Sequence, residues 1–232
     1  MGMNIPIILY THTDMKDVWP MAFGQIKKYL VDFKIYVAVN ATDSLIPSEF
    51  TTILYDDTLA YTNRWQQILH EISESTILFL HEDMIVLGTP DADLIQTYLE
   101  LIESKKIRSV KLIFAGDKAS PSFIHPTLVS NEFAKLSVQP TIIGKESFIQ
   151  ILTEAGRKNI WDFENSVSRY IGDFMAYVGT ETKRGMFHYD SYVFPYIATA
   201  INKGKWNYTE YKQELDILFS EYSINPALRG VV

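Results

Sequence analysis

Cysteine is absent from the 232-residue chain. Disulfide scaffolds and thiolate zinc sites are therefore excluded. Any bound metal must be held by Asp, Glu, His or water, which favours Mg²⁺ or Mn²⁺. Positive charge is also scarce, with 21 Lys and Arg against 28 Asp and Glu, a net charge of −7. A broad non-specific grip on nucleic acid needs a basic face, so no nucleic-acid partner is expected. A local basic pocket for one anionic ligand stays open. No apolar run reaches membrane-span length, so no transmembrane segment is expected. The N-terminus lacks a basic region followed by an apolar one, and the expectation is a soluble cytoplasmic protein. No Pro/Gly/Ser-rich linker divides the chain. Residues 1–232 read as one domain, with a first half over about 1–88 and a second over about 89–232.

Several catalytic signatures are missing as well. The chain has no P-loop, no dinucleotide-binding glycine fingerprint, no G-x-S-x-G and no H-E-x-x-H. Kinases, dehydrogenases, serine hydrolases and zinc proteases are disfavoured accordingly.

What is present is an alternation of short apolar runs with helical periodicity. Pro6-Ile7-Ile8-Leu9-Tyr10 reads as a buried strand that stops at Thr11-His12-Thr13-Asp14. A helix is expected over 17–30, with Pro20 in its first turn. Strands are expected over 34–39, 52–55 and 77–80, with a helix over 64–72 between the last two. Beyond residue 88 the spacing predicts helices over 90–104, 146–155, 159–170 and 210–219, and strands over 109–114 and 136–143. Pro140 marks the 136–143 strand as an edge or a bulge. Residues 115–132 read as a loop or hairpin over the site, and 193–201 as partly β-prone. This is an α/β pattern with a mostly parallel, helix-covered sheet and a smaller antiparallel portion.

In such sheets ligands bind beyond the carboxyl ends of the strands. Thr11, His12, Thr13, Asn40, Asp56 and the His81-Glu82-Asp83 triplet all fall at such ends. The triplet interrupts two apolar runs, Ile77-Leu78-Phe79-Leu80 and Met84-Ile85-Val86-Leu87. Ionised carboxylates are rarely placed there without a partner. Hard divalent cations bind carboxylate oxygens and bridge them to phosphates, so Glu82 and Asp83 are candidate metal ligands. A solvated strand-end turn would read the same way. Arg64, which opens a helix, suits phosphate oxygens, and Lys203 and Lys205 around Gly204 could clamp a phosphate; either could equally be a solvated surface cation. Asp162 and Glu164 are candidate general bases, flanked by Trp161 and Phe163. Acids in a first helical turn also have a purely structural use. Among the histidines, His188 is the metal ligand to test.

Four stretches, in order, resemble the nucleotide-sugar-dependent glycosyltransferases of the GT-A fold, in particular small bacterial and large-DNA-virus members. They are Asp17-Val18-Trp19-Pro20 with Lys27-Lys28-Tyr29; Arg64-Trp65 through His81-Glu82-Asp83; Ser137-Val138-Gln139-Pro140-Thr141-Ile142-Ile143 with Trp161-Asp162-Phe163-Glu164; and the closing segment Ala198 to Trp206, ending Lys203-Gly204-Lys205-Trp206. The resemblance implies a UDP-linked hexose donor held by the first half, with Asp83 on Mn²⁺ or Mg²⁺ and Arg64 near the pyrophosphate. It implies a glycan or glycoconjugate acceptor near Trp161 and Phe163, with Gln139 contacting the donor from that side. It also implies inverting transfer with Glu164 or Asp162 as base, in the host cytoplasm if the chain is viral. His81 departs from the family's frequent Asp-x-Asp, which places strict metal dependence in doubt. A silent sugar-nucleotide-binding module and a nucleotidyltransferase are the alternatives; the missing glycine-rich phosphate loop disfavours the second.

Overall fold

The structure, a computed structural model, describes residues 5–116, 121–130, 136–167, 173–179, 182–185 and 188–232. Strand β1 (Pro6–Tyr10) is buried at every position. So are β4 (Thr76–His81) and five of the six residues of β2 (Lys34–Val39). A strand covered on both faces has no polar side, which is why these segments read as unbroken apolar runs. β3 (Thr51–Leu54) buries only Ile53 and forms one edge. These strands are parallel, in the order β3-β2-β1-β4.

The other half of the sheet is mixed. β5 (Ser109–Lys111), β6 (Leu128–Val129), β7 (Thr141–Gly144) and β8 (Phe174–Tyr177) complete an eight-stranded sheet ordered β3-β2-β1-β4-β7-β5-β8-β6. β7 runs antiparallel to both β4 and β5. Two small antiparallel pairs lie outside the sheet: β9 (Lys183–Arg184) with β10 (His188–Tyr189), and β11 (Ile201–Asn202) with β12 (Lys205–Trp206). The α/β expectation with a small antiparallel portion holds.

Helices α1 (Trp19–Tyr29), α2 (Tyr61–His70), α3 (Ala92–Glu103), α4 (Lys145–Ala155), α5 (Ile160–Ser166) and α6 (Tyr208–Glu221) complete the architecture. α2 starts three residues before the expected position. Tyr61 and Thr62 are buried on the same face as Trp65, Ile68 and Leu69, so the apolar stripe begins one turn earlier. Asn159 caps α5 by accepting from the Asp162 N–H, as expected; residues 168–170 of the expected helix lie outside the described residues.

One strand expectation is corrected. Pro140 does not mark an edge: it lies one residue before β7, which sits between β4 and β5, so no ladder donor is lost. Its carbonyl accepts from the Leu112 N–H at 2.8 Å. The partly β-prone 193–201 pairs in part: Tyr196 bridges Val86, and Ile201 opens β11.

Candidate active site at the β1–β4 switch point

Tyr10, the last residue of β1, is in register with His81, the last residue of β4. From β1 the sheet proceeds outward through β2 and β3, while β4 begins the other half. This is the point at which strand order reverses, and doubly wound sheets open a crevice there. A cavity of about 450 Å³ occupies it, well within the range of small-molecule sites. Tyr10, Tyr61, Arg64, His81, Glu82 and Asn159 are among its walls.

His81 is buried, with Nε2 3.1 Å from the Tyr61 hydroxyl. Burial drives its pKa down to about 3, so the imidazole is neutral. Glu82 is buried and Asp83 half-buried. Burial pushes both carboxyls up, and the Asp83 charge adds to the rise at Glu82. The Thr11 hydroxyl and the charge of Arg229 oppose that rise at Glu82; the Ile201 N–H and Arg229 oppose it at Asp83. Among the described residues neither carboxylate belongs to an ion pair. Arg229 instead forks onto Asp17, with Nη2 2.6 Å from Oδ1.

The surrounding aromatics explain the first helix motif. Trp19 is fully buried, and its Nε1 donates to Thr11 Oγ1 at 2.7 Å. The Thr11 hydroxyl lowers the proton affinity of Glu82. The Thr11 carbonyl accepts from the Tyr55 hydroxyl at 2.7 Å. Tyr55 stacks on Tyr10 with ring centroids 5.1 Å apart, and Tyr10 stacks in turn on Trp65.

Arg64 is held in one place. Nε donates to the Leu59 carbonyl at 2.8 Å, and Nη2 donates to the Asp57 carbonyl at 2.6 Å and to its carboxylate at 2.9 Å. Only Nη1 is lightly used, 3.3 Å from the Tyr10 hydroxyl. Asp57 also meets Nε2 of His12 at 3.1 Å. A guanidinium so fixed offers its remaining N–H to the cavity without losing conformational entropy.

No protein-family model and no curated protein matches the chain. Solved structures resemble it at a distance. The bifunctional IspDF of Campylobacter jejuni is 10% identical at a TM-score of 0.46, over 77% of this chain and 50% of that one. HddC of Yersinia pseudotuberculosis is 13% identical at 0.47, over 75% and 90%. The apo-form glycosyltransferase GlyE of Streptococcus pneumoniae TIGR4 is 10% identical at 0.43, over 75% and 45%. The chain thus spans about half the length of two of these. At such identities the likeness is one of fold and says nothing about chemistry.

The other expected site residues fall into distinct places. Thr13 and Asn40 hold each other, the Thr13 N–H donating to Asn40 Oδ1 at 2.9 Å and Asn40 Nδ2 donating to Thr13 Oγ1 at 3.1 Å. Asp56 closes its own turn by accepting from Thr58 N–H and Oγ1. Gln139 donates to the Ala198 carbonyl and accepts from the Tyr196 hydroxyl. Lys203 and Lys205 are exposed at the β11–β12 turn, where Gly204 has φ 79°. Asp162 accepts from Asn159 Nδ2 at 2.9 Å. One Glu164 oxygen accepts from the Val138 N–H at 2.7 Å. Trp161 is exposed, whereas Phe163 packs in the core against Tyr61 and Phe148, because the α5 face carrying it points inward. An acceptor-facing Phe163 is therefore corrected to a packing residue. His188 has Tyr211 for a partner, Nε2 lying 2.5 Å from its hydroxyl, and lies 3.8 Å from Glu210. Among the described residues no group of three or more His, Asp and Glu is placed to hold a metal. Among the described residues the acids at the switch point are Glu82 and Asp83.

Arg229, Tyr61 and Asn159 join the site without a motif of their own. Arg229 belongs to a tail that folds back, the Trp206 N–H donating to the Gly230 carbonyl and the Val232 N–H to the Trp206 carbonyl. No local spacing signals that return. Tyr61 could have been found by extending the α2 stripe one turn upstream.

Proposed function

We propose that the chain is a glycosyltransferase that moves a hexose from a nucleotide-diphosphate sugar, UDP-linked, to a glycan hydroxyl. One observation carries this reading: two carboxylates that, among the described residues, belong to no ion pair stand at the switch point, beside a ligand-sized cavity. A protein retains such desolvated acids against a cost of several kcal/mol when something binds them.

The residues fit a hard divalent cation. Mg²⁺ and Mn²⁺ are commonly held by one or two carboxylates, with substrate phosphates and water completing the shell. Asp83 and Glu82 would hold the ion, which when bound supplies positive charge against the leaving diphosphate. Arg64 directs its lightly used Nη1 at the cavity, and Arg229 adds charge beside both acids. The aromatic walls Tyr10 and Tyr61 exclude water and bound the ligand.

Glu164 is the better candidate for the base. It is half-buried and oriented by the Val138 N–H, and its charge is felt at Tyr61, a cavity wall. Asp162 is exposed and engaged with the helix cap. In the proposed step Glu164 takes the acceptor hydroxyl proton. The acceptor oxygen forms a bond to the sugar's anomeric carbon as the bond to the diphosphate breaks, with inversion.

The test is incubation with a panel of nucleotide sugars and Mn²⁺, scored for released nucleoside diphosphate. Slow donor hydrolysis by the wild type, absent from Asp83→Ala, is the expected result. Binding without any release would identify a silent module, and conversion of the nucleotide sugar to nucleoside triphosphate and sugar phosphate, on addition of pyrophosphate, would identify a nucleotidyltransferase. Either outcome overturns the proposal.

A further inference from the structure

The acidic stretch after β4 does not stand alone. Residues 195–201 run antiparallel beside it. The Leu87 N–H donates to the Pro195 carbonyl at 2.8 Å, the Ile197 N–H to the Ile85 carbonyl at 2.8 Å, and the Ala200 N–H to the Asp83 carbonyl at 2.9 Å. Val86 and Tyr196 form the bridge between them. At the end of this strap the Ile201 N–H lowers the proton affinity of the Asp83 carboxyl. One short segment therefore fixes the backbone of the candidate metal ligand.

The strap is fixed from behind by side chains of other elements. Gln139 Nε2 donates to the Ala198 carbonyl at 3.2 Å, and Gln139 is itself held by the Tyr196 hydroxyl at 2.7 Å. The Tyr211 hydroxyl accepts from the Ala198 N–H at 3.3 Å. Asn207 Nδ2 donates to the Thr199 carbonyl at 3.1 Å, and its backbone N–H to the Ala200 carbonyl at 2.9 Å. Tyr211 and Asn207 are buried and Gln139 half-buried. Buried polar groups that satisfy consecutive peptide units of an irregular segment fix it in one geometry.

We infer that Gln139, Tyr211 and Asn207 are positioning residues, which act through the 195–201 strap to hold Asp83 where it meets the cation and the diphosphate. This rests on the proposed function, and it gives Gln139 a place behind the site in place of donor contact. Supporting groups one step removed from a metal commonly change its affinity by about 10- to 100-fold when lost.

The experiment is titration of the metal-free protein with Mn²⁺ alone, followed by calorimetry, beside amide hydrogen exchange of residues 195–201 without metal. Tyr211→Phe keeps the ring and removes the acceptor; Gln139→Met keeps the length and removes the amide. Both are expected to weaken Mn²⁺ about tenfold and to speed exchange at Ala200 and Ile201. Tyr98→Phe, which removes a hydroxyl from α3, is the control for lost stability and should leave Mn²⁺ affinity unchanged. Wild-type binding with unaltered affinity in both strap variants overturns the inference and leaves the functional reading standing. Failure of the wild type to bind Mn²⁺ overturns both. Should one variant fail to fold, the other decides.

Discussion

Nε2 of His81 lies 3.1 Å from the hydroxyl of Tyr61, and both side chains are buried where β4 ends beside the start of α2. The pair holds a neutral imidazole directly before two carboxyls. It also sets a pH dependence with a definite sign. His81 has an ordinary pKa of 6.5 when unfolded and about 3 in the fold. Between those values the unfolded chain takes up a proton that the folded chain refuses, so stability falls as pH falls, by up to about 1.4 kcal/mol per pH unit. Glu82 and Asp83 act oppositely: their raised folded pKa contributes stability at low pH that is lost as pH rises through it. Comparing wild type with His81→Gln isolates the histidine. Denaturant unfolding from pH 6 to 4 should show the variant losing less stability than the wild type. Equal slopes would mean the imidazole is not kept neutral.

Asp83→Ala removes one of the two carboxylates after β4, that of the residue whose backbone carbonyl accepts from the Ala200 N–H. Stabilisation of the folded protein by UDP with Mn²⁺ should vanish in this variant, since a ligand bound only to the native state raises its apparent stability. In the wild type the Mn²⁺-dependent shift should grow from pH 5.5 to 8. The acid pair must lose protons before it binds a cation, and burial makes that loss costly at lower pH. A shift that is flat with pH, or that survives in Asp83→Ala, would contradict the assignment.

Glu164→Gln keeps an oxygen for the Val138 N–H, which Glu164 now receives at 2.7 Å. The α5 region should therefore keep its structure and donor binding its strength. Turnover should drop by about a hundredfold or more, the usual loss when a general base is removed. Transfer at the wild-type rate would reject Glu164 as the base.

The parallel half of the sheet is legible in the sequence because fully covered strands are continuous apolar runs with a polar residue at each exit. The mixed half is less so. Pro140 mimics an edge signal while lying outside β7, and β6 and β9–β12 are two residues each, too short for any period. Within the candidate site, strand ends mark Thr11, His12 and the acidic triplet. The remainder is assembled by tertiary packing. Arg229 meets Asp17 across 212 residues of chain, and the strap on Asp83 comes from residues that carry no periodicity. Phe163 is ambiguous in sequence because an aromatic beside an acid can stack on a sugar or fill a core, and only the orientation of α5 separates the two.

That long-range pair supports a last prediction. The Arg229 fork on Asp17 ties the C-terminal tail to the loop after β1, with a longer contact to the Gly204 carbonyl at 3.5 Å. Its side chain is only 15% exposed and that of Asp17 33%, so the pair is worth more than a typical surface ion pair yet is partly screened. Arg229→Ala should cost about 1–2 kcal/mol, a fall in Tm of roughly 2–8 °C for a chain of this size. Arg229→Lys keeps the charge and loses the two-pronged geometry. If the tail acts only as a structural tie, the lysine variant should resemble alanine in Tm and the wild type in UDP affinity. If Arg229 also supplies charge at the acid pair, lysine should retain Mn²⁺-supported UDP binding while alanine weakens it several-fold. We expect the second pattern, because Arg229 lowers the proton affinity of both Glu82 and Asp83 from its present position. Equal UDP affinity in wild type, lysine and alanine variants would confine Arg229 to the structural tie.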